Sequence, residues 1–332
     1  MVSTVRFGNS DLNVVRIAHG TMGFKLIRIV PDEICFEALR TSLDLAPPGG
    51  KVIINTSEFY GRDPPTAGLE VIARFFEKYP EYADRCFLAV KGAMDHDTHL
   101  PQTTPEGLRT SITICQKILG VHKKIDHYEP ARFDGSTSIE DIMKSLVTLK
   151  DEGLFEFIGL SEVSASTLRK ACKVGPVSSV EIEVSPWTYT KEVQDVIATA
   201  AELDVTVLAY GALGKGFLTG ADVLGTAPGL AIFPRFAEEA RKENQKIVDT
   251  ISMLAKKKGI TNAQLCLAWV ASLGPHVIPL PGSSNAARTA ENFAAADIFF
   301  TPEEKAEIDA AVSSFQVVGE RYPERMAAFL MQ

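Results

Sequence analysis

Apolar residues along the chain gather alternately into short runs rich in β-branched side chains and into longer amphipathic stretches. The runs that read as strands are Arg16–Gly20, Val52–Asn55, Cys86–Val90, Ile125–Tyr128, Phe155–Leu160, Ser179–Val184, Val205–Tyr210 and Val277–Leu280, eight in all. Most are continuous rather than alternating in polarity, as parallel strands covered on both faces require. Helix signals fill the intervals. Asp32 precedes Glu33-Ile34-Cys35-Phe36, and Pro47-Pro48-Gly49-Gly50 stops that helix. Ser138 with Asp141 resembles a capping box ahead of the stripe Ile139, Ile142, Leu146 and Leu149, with Gly153 where a C′ glycine belongs. Ser164 or Ser166 starts the next helix and Thr190 the one after. Thr301-Pro302-Glu303-Glu304 supplies an N-cap, an N1 proline and an N3 glutamate for a further helix beyond the alternating units.

The opening segment Val5-Arg6-Phe7-Gly8-Asn9-Ser10-Asp11-Leu12-Asn13-Val14 reads as a hairpin turning at Gly-Asn-Ser. No Gly/Ser linker, charge block or low-complexity tract divides the chain. Units of β then α that repeat about every 40 residues favour a closed (β/α)8 barrel over an open doubly wound sheet. The expectation is one domain over residues 1–332, a TIM barrel with an N-terminal β-hairpin as floor and an additional C-terminal helix. Residues 221–236, Pro- and Gly-containing without clean periodicity, read as a flexible cover.

Composition narrows the function classes. With 45% hydrophobic residues the chain must form a core, which excludes disorder. Its 34 Lys+Arg against 42 Asp+Glu leave a net charge of −8 and no basic cluster to displace phosphate counterions, so neither nucleic acid nor a membrane surface is an expected partner. Five scattered cysteines without C-x-x-C argue against a disulfide frame or a zinc ribbon. Met1 leads into mixed polar sequence and no run approaches the ~18 apolar residues of a membrane span, so a cytoplasmic location is expected. Oligomeric state is not legible. Asp95-His96-Asp97-Thr98-His99 reads as a solvated turn rather than a metal site, and no metal is expected.

In a barrel, chemistry stands at the C-terminal ends of the strands. Asn55-Thr56-Ser57-Glu58-Phe59-Tyr60-Gly61 follows the second strand, Lys91-Gly92 the third, and Glu129-Pro130-Ala131-Arg132-Phe133-Asp134 the fourth. A phenol ionises near pH 10. An ammonium about 4 Å away at an effective dielectric of ~20 contributes about 4 kcal/mol before desolvation, enough to bring that value down by about two units. Tyr60 beside Lys91 would then serve as a general acid toward a carbonyl oxygen, although a strand-end Tyr or Lys is more often packing. His19 and His127 lie in strands and read as satisfied structural imidazoles.

Asn-Thr-x-x-x-Tyr-Gly after strand two, Lys91, Ile158-Gly159-Leu160-Ser161, Val180-Glu181-Ile182-Glu183, the stretch Ala209 to Gly220, and Pro281-Gly282-Ser283-Ser284 through Arg288 to Glu291-Asn292 resemble the aldo-keto reductases in order along nearly the whole chain. The resemblance implies a single (β/α)8 barrel that moves hydride from NADPH to an aldehyde or ketone, with Tyr60 as proton donor and Lys91 as its partner. Two positions depart from the family's tetrad: its Asp is Asn55 here, and its His is Ala131, before Arg132. Asn in the first place and Ala-Arg in the second resemble the fungal pyridoxal reductase branch, which implies reduction of pyridoxal to pyridoxine. On this expectation Lys91 loses its acidic partner and the Tyr60 anion becomes its main counter-charge, while Ala131 leaves room beside Arg132 for a ring-substituted aldehyde. Reductases of other aldehydes and cofactor-binding regulatory subunits, as in the potassium-channel β subunits, are the competing readings.

For the cofactor, the glycine-rich turn Tyr210-Gly211-Ala212-Leu213-Gly214-Lys215-Gly216 follows a buried strand, near where barrels often hold phosphate. The resemblance implies that Tyr210 stacks on the nicotinamide and that the turn lines the diphosphate. Ser161 and Glu181 would meet the carboxamide, although the family commonly has Gln where Glu181 stands and Asn where Glu162 stands. Ser283, Ser284 and Arg288 begin a helix whose free N–H groups favour an anion. By resemblance they hold the adenosine 2′-phosphate, with Glu291 and Asn292 at the adenine.

Overall fold

In the computed structural model, residues 2–133 and 135–331 are described. Asp134, the end of the Ala-Arg-Phe-Asp segment, lies outside them. Strands β1 (Thr4–Arg6) and β2 (Asn13–Val15) form the antiparallel hairpin, Val5 opposite Val14. Then β3 (His19–Gly20), β4 (Val52–Ser57), β5 (Cys86–Gly92), β6 (His127–Pro130), β7 (Phe157–Ser161), β8 (Ser179–Glu183), β9 (Thr206–Tyr210) and β10 (Val277–Leu280) lie side by side in chain order, each parallel to the next. The sheet closes on itself through a parallel bridge between Gly20 and Gly282, where the Gly20 N–H donates to the Pro281 carbonyl at 2.9 Å. A closed parallel barrel has no free edge, which accounts for the buried, unbroken apolar runs.

Helices α1 (Asp32–Leu43), α2 (Ala67–Lys78), α3 (Pro105–Leu119), α4 (Ile139–Asp151), α5 (Ala165–Val174) and α6 (Lys191–Glu202) each follow one strand. Their starts are set by side-chain caps: Ser138 Oγ accepts from Asp141 N–H at 3.1 Å, and Ser164 rather than Ser166 accepts from Thr167 N–H at 3.2 Å. Asp32 differs from expectation, because Pro31 holds the N-cap position and Asp32 opens the helix itself. Between β9 and β10 the chain makes short helical turns including α7 (Val223–Thr226), then α8 (Glu238–Lys258) and α9 (Asn262–Ala271). The expected cover at 221–236 is thus a chain of tight turns. After β10 come α10 (Ala286–Ala294) and α11 (Pro302–Ser314), the latter opened by the expected Thr301/Glu304 capping box.

Only Val277–Leu280 keeps its expected bounds; the other strands shift by one to three residues at one end or both, and two of the shifts bear on the site. The fourth barrel strand begins at His127 instead of Ile125, because the Asp126 carboxylate takes the Leu88 N–H at 2.6 Å where a ladder bond would otherwise form. The first is cut to two residues, although Ile17 and Ala18 remain buried.

The barrel's two ends differ in chemistry. Phe7, carried by the hairpin, plugs the lower end against Phe87 (ring centroids 4.7 Å apart) and Phe157 (5.8 Å). The upper end, where strands finish, carries Asn55, Lys91, Glu129, Glu181 and Glu183, all buried. No helix among the described residues is long and apolar enough to cross a membrane.

Gly159 in β7 leaves no room for a side chain: a Cβ there would lie 2.3 Å from the His127 ring and 2.9 Å from Glu129 Oε2. Gly159→Ala should cost about 1–3 kcal/mol, as overpacking of rigid interiors does. An unchanged urea midpoint would contradict this.

Candidate active site

Strand register assembles the site. Lys91 in β5 pairs with Glu129 in β6, and Ser161 in β7 with Glu181 in β8. From across the barrel, the Lys91 ammonium donates to Asn55 Oδ1 at 2.5 Å and lies 3.0 Å from both oxygens of Glu181, with Glu129 Oε1 at 3.7 Å. The Asn55 amide in turn donates from Nδ2 to Glu181 Oε2 at 2.7 Å. Tyr60, on the turn after β4, is half-buried with its ring centroid 5.4 Å from the Lys91 nitrogen.

These contacts correct two expectations. Lys91 does not lack an acidic partner, because Glu181 supplies one. The carboxylate of Glu181 is turned to Lys91 and Asn55. Burial works to lower the Lys91 ammonium's pKa, yet Glu181, Tyr60 and Glu129 together raise it above the usual lysine range. The Tyr60 phenol is also raised, not lowered: burial outweighs the pull of Lys91, and Glu181 adds to the rise. The Glu129 carboxyl is pushed well above the usual carboxylate range by burial and then by Glu181.

A second cluster stands beside the first. Tyr210 donates its hydroxyl to Glu162 Oε1 at 2.7 Å and lies 3.2 Å from the Tyr322 hydroxyl. Arg321, from the C-terminal segment, donates to Glu162 at 3.0 Å and to Glu183 at 3.2 Å. Lys215 Nζ lies 3.8 Å from Glu183 and over the rings of Phe233 and Tyr322. Arg132 donates to its neighbour's Ala131 carbonyl and, at 3.2 Å, to Ser161 Oγ. Ala131 is buried, its N–H on the Gly92 carbonyl. Glu162 has φ +54°, a conformation that favours Asn or Gly over a longer acid.

The glycine-rich turn after β9 needs its glycines: Gly211, Gly214 and Gly216 all have positive φ, and Lys215 shares it at +56°. Leu213 lies between them, half-buried. After β10, Ser283 and Ser284 are buried, and Asn285, not a serine, caps α10 by accepting from the Arg288 N–H at 3.1 Å. Arg288 is exposed and has no ion pair among the described residues; Glu291 is half-buried and Asn292 buried farther along the helix. In the Asp95–His99 segment, His96 Nε2 lies 3.1 Å from Glu58, and the described residues contain no cluster of metal-ligating groups.

Sequence reasoning missed the roles of Glu129, Glu183, Arg321 and Tyr322 in this arrangement. An acid closing a buried strand was the available signal for Glu129. Nothing local marks Arg321, whose partners lie 111 to 159 positions away.

The Aldo/keto reductase family model matches residues 16–313. The probable pyridoxal reductase 2 of Schizosaccharomyces pombe is 32% identical over 83% of this chain and 86% of its own length. The aldo-keto reductase yakc [NADP(+)] of the same organism is 32% identical over 97% of this chain and 95% of its own. Among solved structures, the glycerol dehydrogenase of Gluconobacter oxydans superposes with a TM-score of 0.76 at 21% identity, over 93% of this chain and 95% of that one. A thermostable aldo-keto reductase in complex with epalrestat gives 0.70 at 19% identity, over 93% and 100%.

Two imidazoles under the site predict an acid-sensitive fold. His19 donates from Nε2 to the Ser283 carbonyl at 2.7 Å, and His127 Nε2 meets Ser179 Oγ at 2.7 Å. Burial depresses His19 to about 4, and burial with the Lys91 charge depresses His127 to about 3, against 6.5 in a solvated histidine. Between those values and 6.5 the unfolded chain binds more protons than the folded one. Stability should therefore fall on acidification from pH 6.5 toward 4, by up to about 1.4 kcal/mol per pH unit for each imidazole. His19→Asn and His127→Asn should each flatten that slope in unfolding measured across this window; an unchanged slope in both would refute the assignment.

Proposed function

The chain belongs to the aldo/keto reductase family, and we propose that it reduces an aldehyde with NADPH, most specifically pyridoxal to pyridoxine. One observation carries the reading: at the strand-end mouth of the barrel, a half-buried phenol lies against a buried ammonium, the Tyr60 ring 5.4 Å from Lys91 Nζ. That is the arrangement of a general acid for a carbonyl oxygen. Membership makes the protein an oxidoreductase, and the substrate assignment draws on the similarity to the pyridoxal reductase relative.

The donor set fits a dinucleotide. Glu162 Oε2 is a buried acceptor without a hydrogen-bond partner among the described residues, next to Ser161, and suits an amide N–H₂. The start of α10, with Ser283, Ser284 and the unpaired Arg288, suits a phosphate. On this reading Ser161 and Glu162 orient the carboxamide, and Tyr210 offers its ring face, its hydroxyl being held by Glu162. The turn Gly211, Leu213, Gly214, Lys215 and Gly216 runs along the diphosphate. Arg288 and the two serines hold the 2′-phosphate, and Glu291 and Asn292 flank the adenine.

When bound, NADPH supplies the hydride that goes to the aldehyde carbon. Tyr60 gives its proton to the aldehyde oxygen as that oxygen gains charge, so the product is the alcohol. Lys91 holds the resulting phenolate until solvent returns a proton, and Asn55 keeps the ammonium aimed. Ala131 leaves space for the substrate, while Arg132, half-buried beside Ser161, presents a cation to the oxygen substituents of the substrate ring.

Purified protein should consume NADPH with pyridoxal, and Tyr60→Phe should lower kcat by about 100-fold or more while cofactor binding persists. Tight cofactor binding without turnover on an aldehyde panel would overturn the enzymatic reading; turnover confined to other aldehydes would overturn the substrate. Arg288→Ala should raise the KM for NADPH about tenfold, the loss of one charge-assisted contact, and leave that for NADH unchanged. Equal effects on the two cofactors would reject the 2′-phosphate assignment.

A further inference from the structure

We propose that Glu181 is the anion that neutralises Lys91 in this protein and that Asn55 is its obligatory amide companion, the two positions acting as one unit that sets the charge felt by Tyr60. The unit's effect on catalysis rests on the reading of Tyr60 as proton donor; the unit itself does not.

The geometry leaves little freedom. Asn55 sits between a cation and an anion: Lys91 Nζ donates to its Oδ1, and its Nδ2 donates to Glu181 Oε2 at 2.7 Å. The amide offers an acceptor to one neighbour and a donor to the other, which an ionised carboxylate, an acceptor only, cannot. Aspartate at position 55 would satisfy Lys91 but put a second carboxylate oxygen where Nδ2 stands, against Glu181 with no proton between them. Glutamine at 181 with asparagine kept at 55 would leave Lys91 between two amides, its nearest carboxyl then Glu129 at 3.7 Å. Glu129 is fully buried and its oxygens have no hydrogen-bond donor among the described residues, so ionising it in Glu181's place would be costly. Either single change breaks the unit. Exchanging both, Asp at 55 and Gln at 181, restores one carboxylate and one amide around the same ammonium.

The titratable and charged groups facing this unit come from three elements besides β4 and β5: Glu129 and His127 from β6, Arg132 from the loop after it, and Glu181 itself from β8, with Tyr60 on the turn after β4. Glu181 is the acid in contact with both Lys91 and Asn55. It is a positioning residue, since it reaches the reacting atoms through Lys91.

The test is a double-mutant cycle of Asn55→Asp, Glu181→Gln and both together, read by thermal unfolding midpoint and by the pH profile of aldehyde reduction. Each single variant should unfold at a lower temperature than the parent, and the double variant should recover most of the loss. If N55D fails to fold, folded protein regained in the double variant supports the unit, and a double variant that also fails to fold overturns it. In the profile, E181Q removes a negative neighbour of the phenol, so the basic limb should move to lower pH by about one unit or more, and the double variant should bring it back. A double variant whose midpoint and limb equal the sum of the single effects overturns the proposal. Turnover that survives Tyr60→Phe would instead sink the proton-donor reading while leaving the unfolding cycle decisive for the unit.

Discussion

A buried ammonium governs the upper end of this barrel. Lys91 is almost wholly removed from water, and an isolated cation in that position would be prohibitive. Its neighbours follow from that demand: a carboxylate at 3.0 Å, an amide oxygen at 2.5 Å and a phenol ring whose electron-rich face lies toward it. The demand constrains residues on two other strands, β4 with the turn after it and β8. A polar residue at 55, an acid at 181 and a tyrosine at 60 are intelligible together and anomalous apart. The same constraint explains why burial raises the Tyr60 phenol even with a cation beside it, because that cation's charge is already shared with Glu181.

The lower end is held by the opposite means. Phe7, Phe87 and Phe157 meet edge to face or tilted, with Ile53, Leu208 and Ile278 in the same cluster, so that end is sealed by packing. His127 lies at the boundary between the regimes, one side against Phe7, the other on the Ser179 hydroxyl. An apolar seal below lets the charges above act in a medium of low polarizability, where each is worth more than in water. The hairpin that carries Phe7 therefore serves the chemistry at the other end.

The strands were legible because closure of a parallel barrel demands continuous apolar runs, and the cores of β4, β5 and β10 are nothing else. Tyr60 and Lys91 were legible because each sits at or just past a strand end, where position along the chain already implies position in the barrel. Glu181 was found, but its orientation was not. β4 and β8 are not neighbours in the sheet, and which side chains meet across the interior depends on tilt and stagger that one-dimensional spacing does not express. The start of α10 was read at Ser283-Ser284, and Asn285 caps it instead, for a simpler reason: serine and asparagine both cap, and only the path after the Gly20–Gly282 seam decides between them. Arg321 and Tyr322 lie in a tail without periodicity, so no local pattern announces them.

The two clusters at the mouth together carry an excess of positive charge. Lys91, Arg132, Lys215, Arg235 and Arg321 face Glu129, Glu162, Glu181 and Glu183, five cations against four carboxyl groups. Burial and then Glu181 push the Glu129 carboxyl well above its usual range, which works against its share of the opposing charge. An acidic protein thereby keeps a mouth in which cationic side chains outnumber carboxyl groups, without a basic surface. Glu183 stays ionised in the same pocket, its carboxylate held below the usual range by Lys215, Arg321 and Arg235 against the opposing cost of burial. Two glutamates on adjoining parts of one mouth are thus shifted in opposite directions, because the burial of Glu129 is reinforced by a second acid while that of Glu183 is outweighed by three cations.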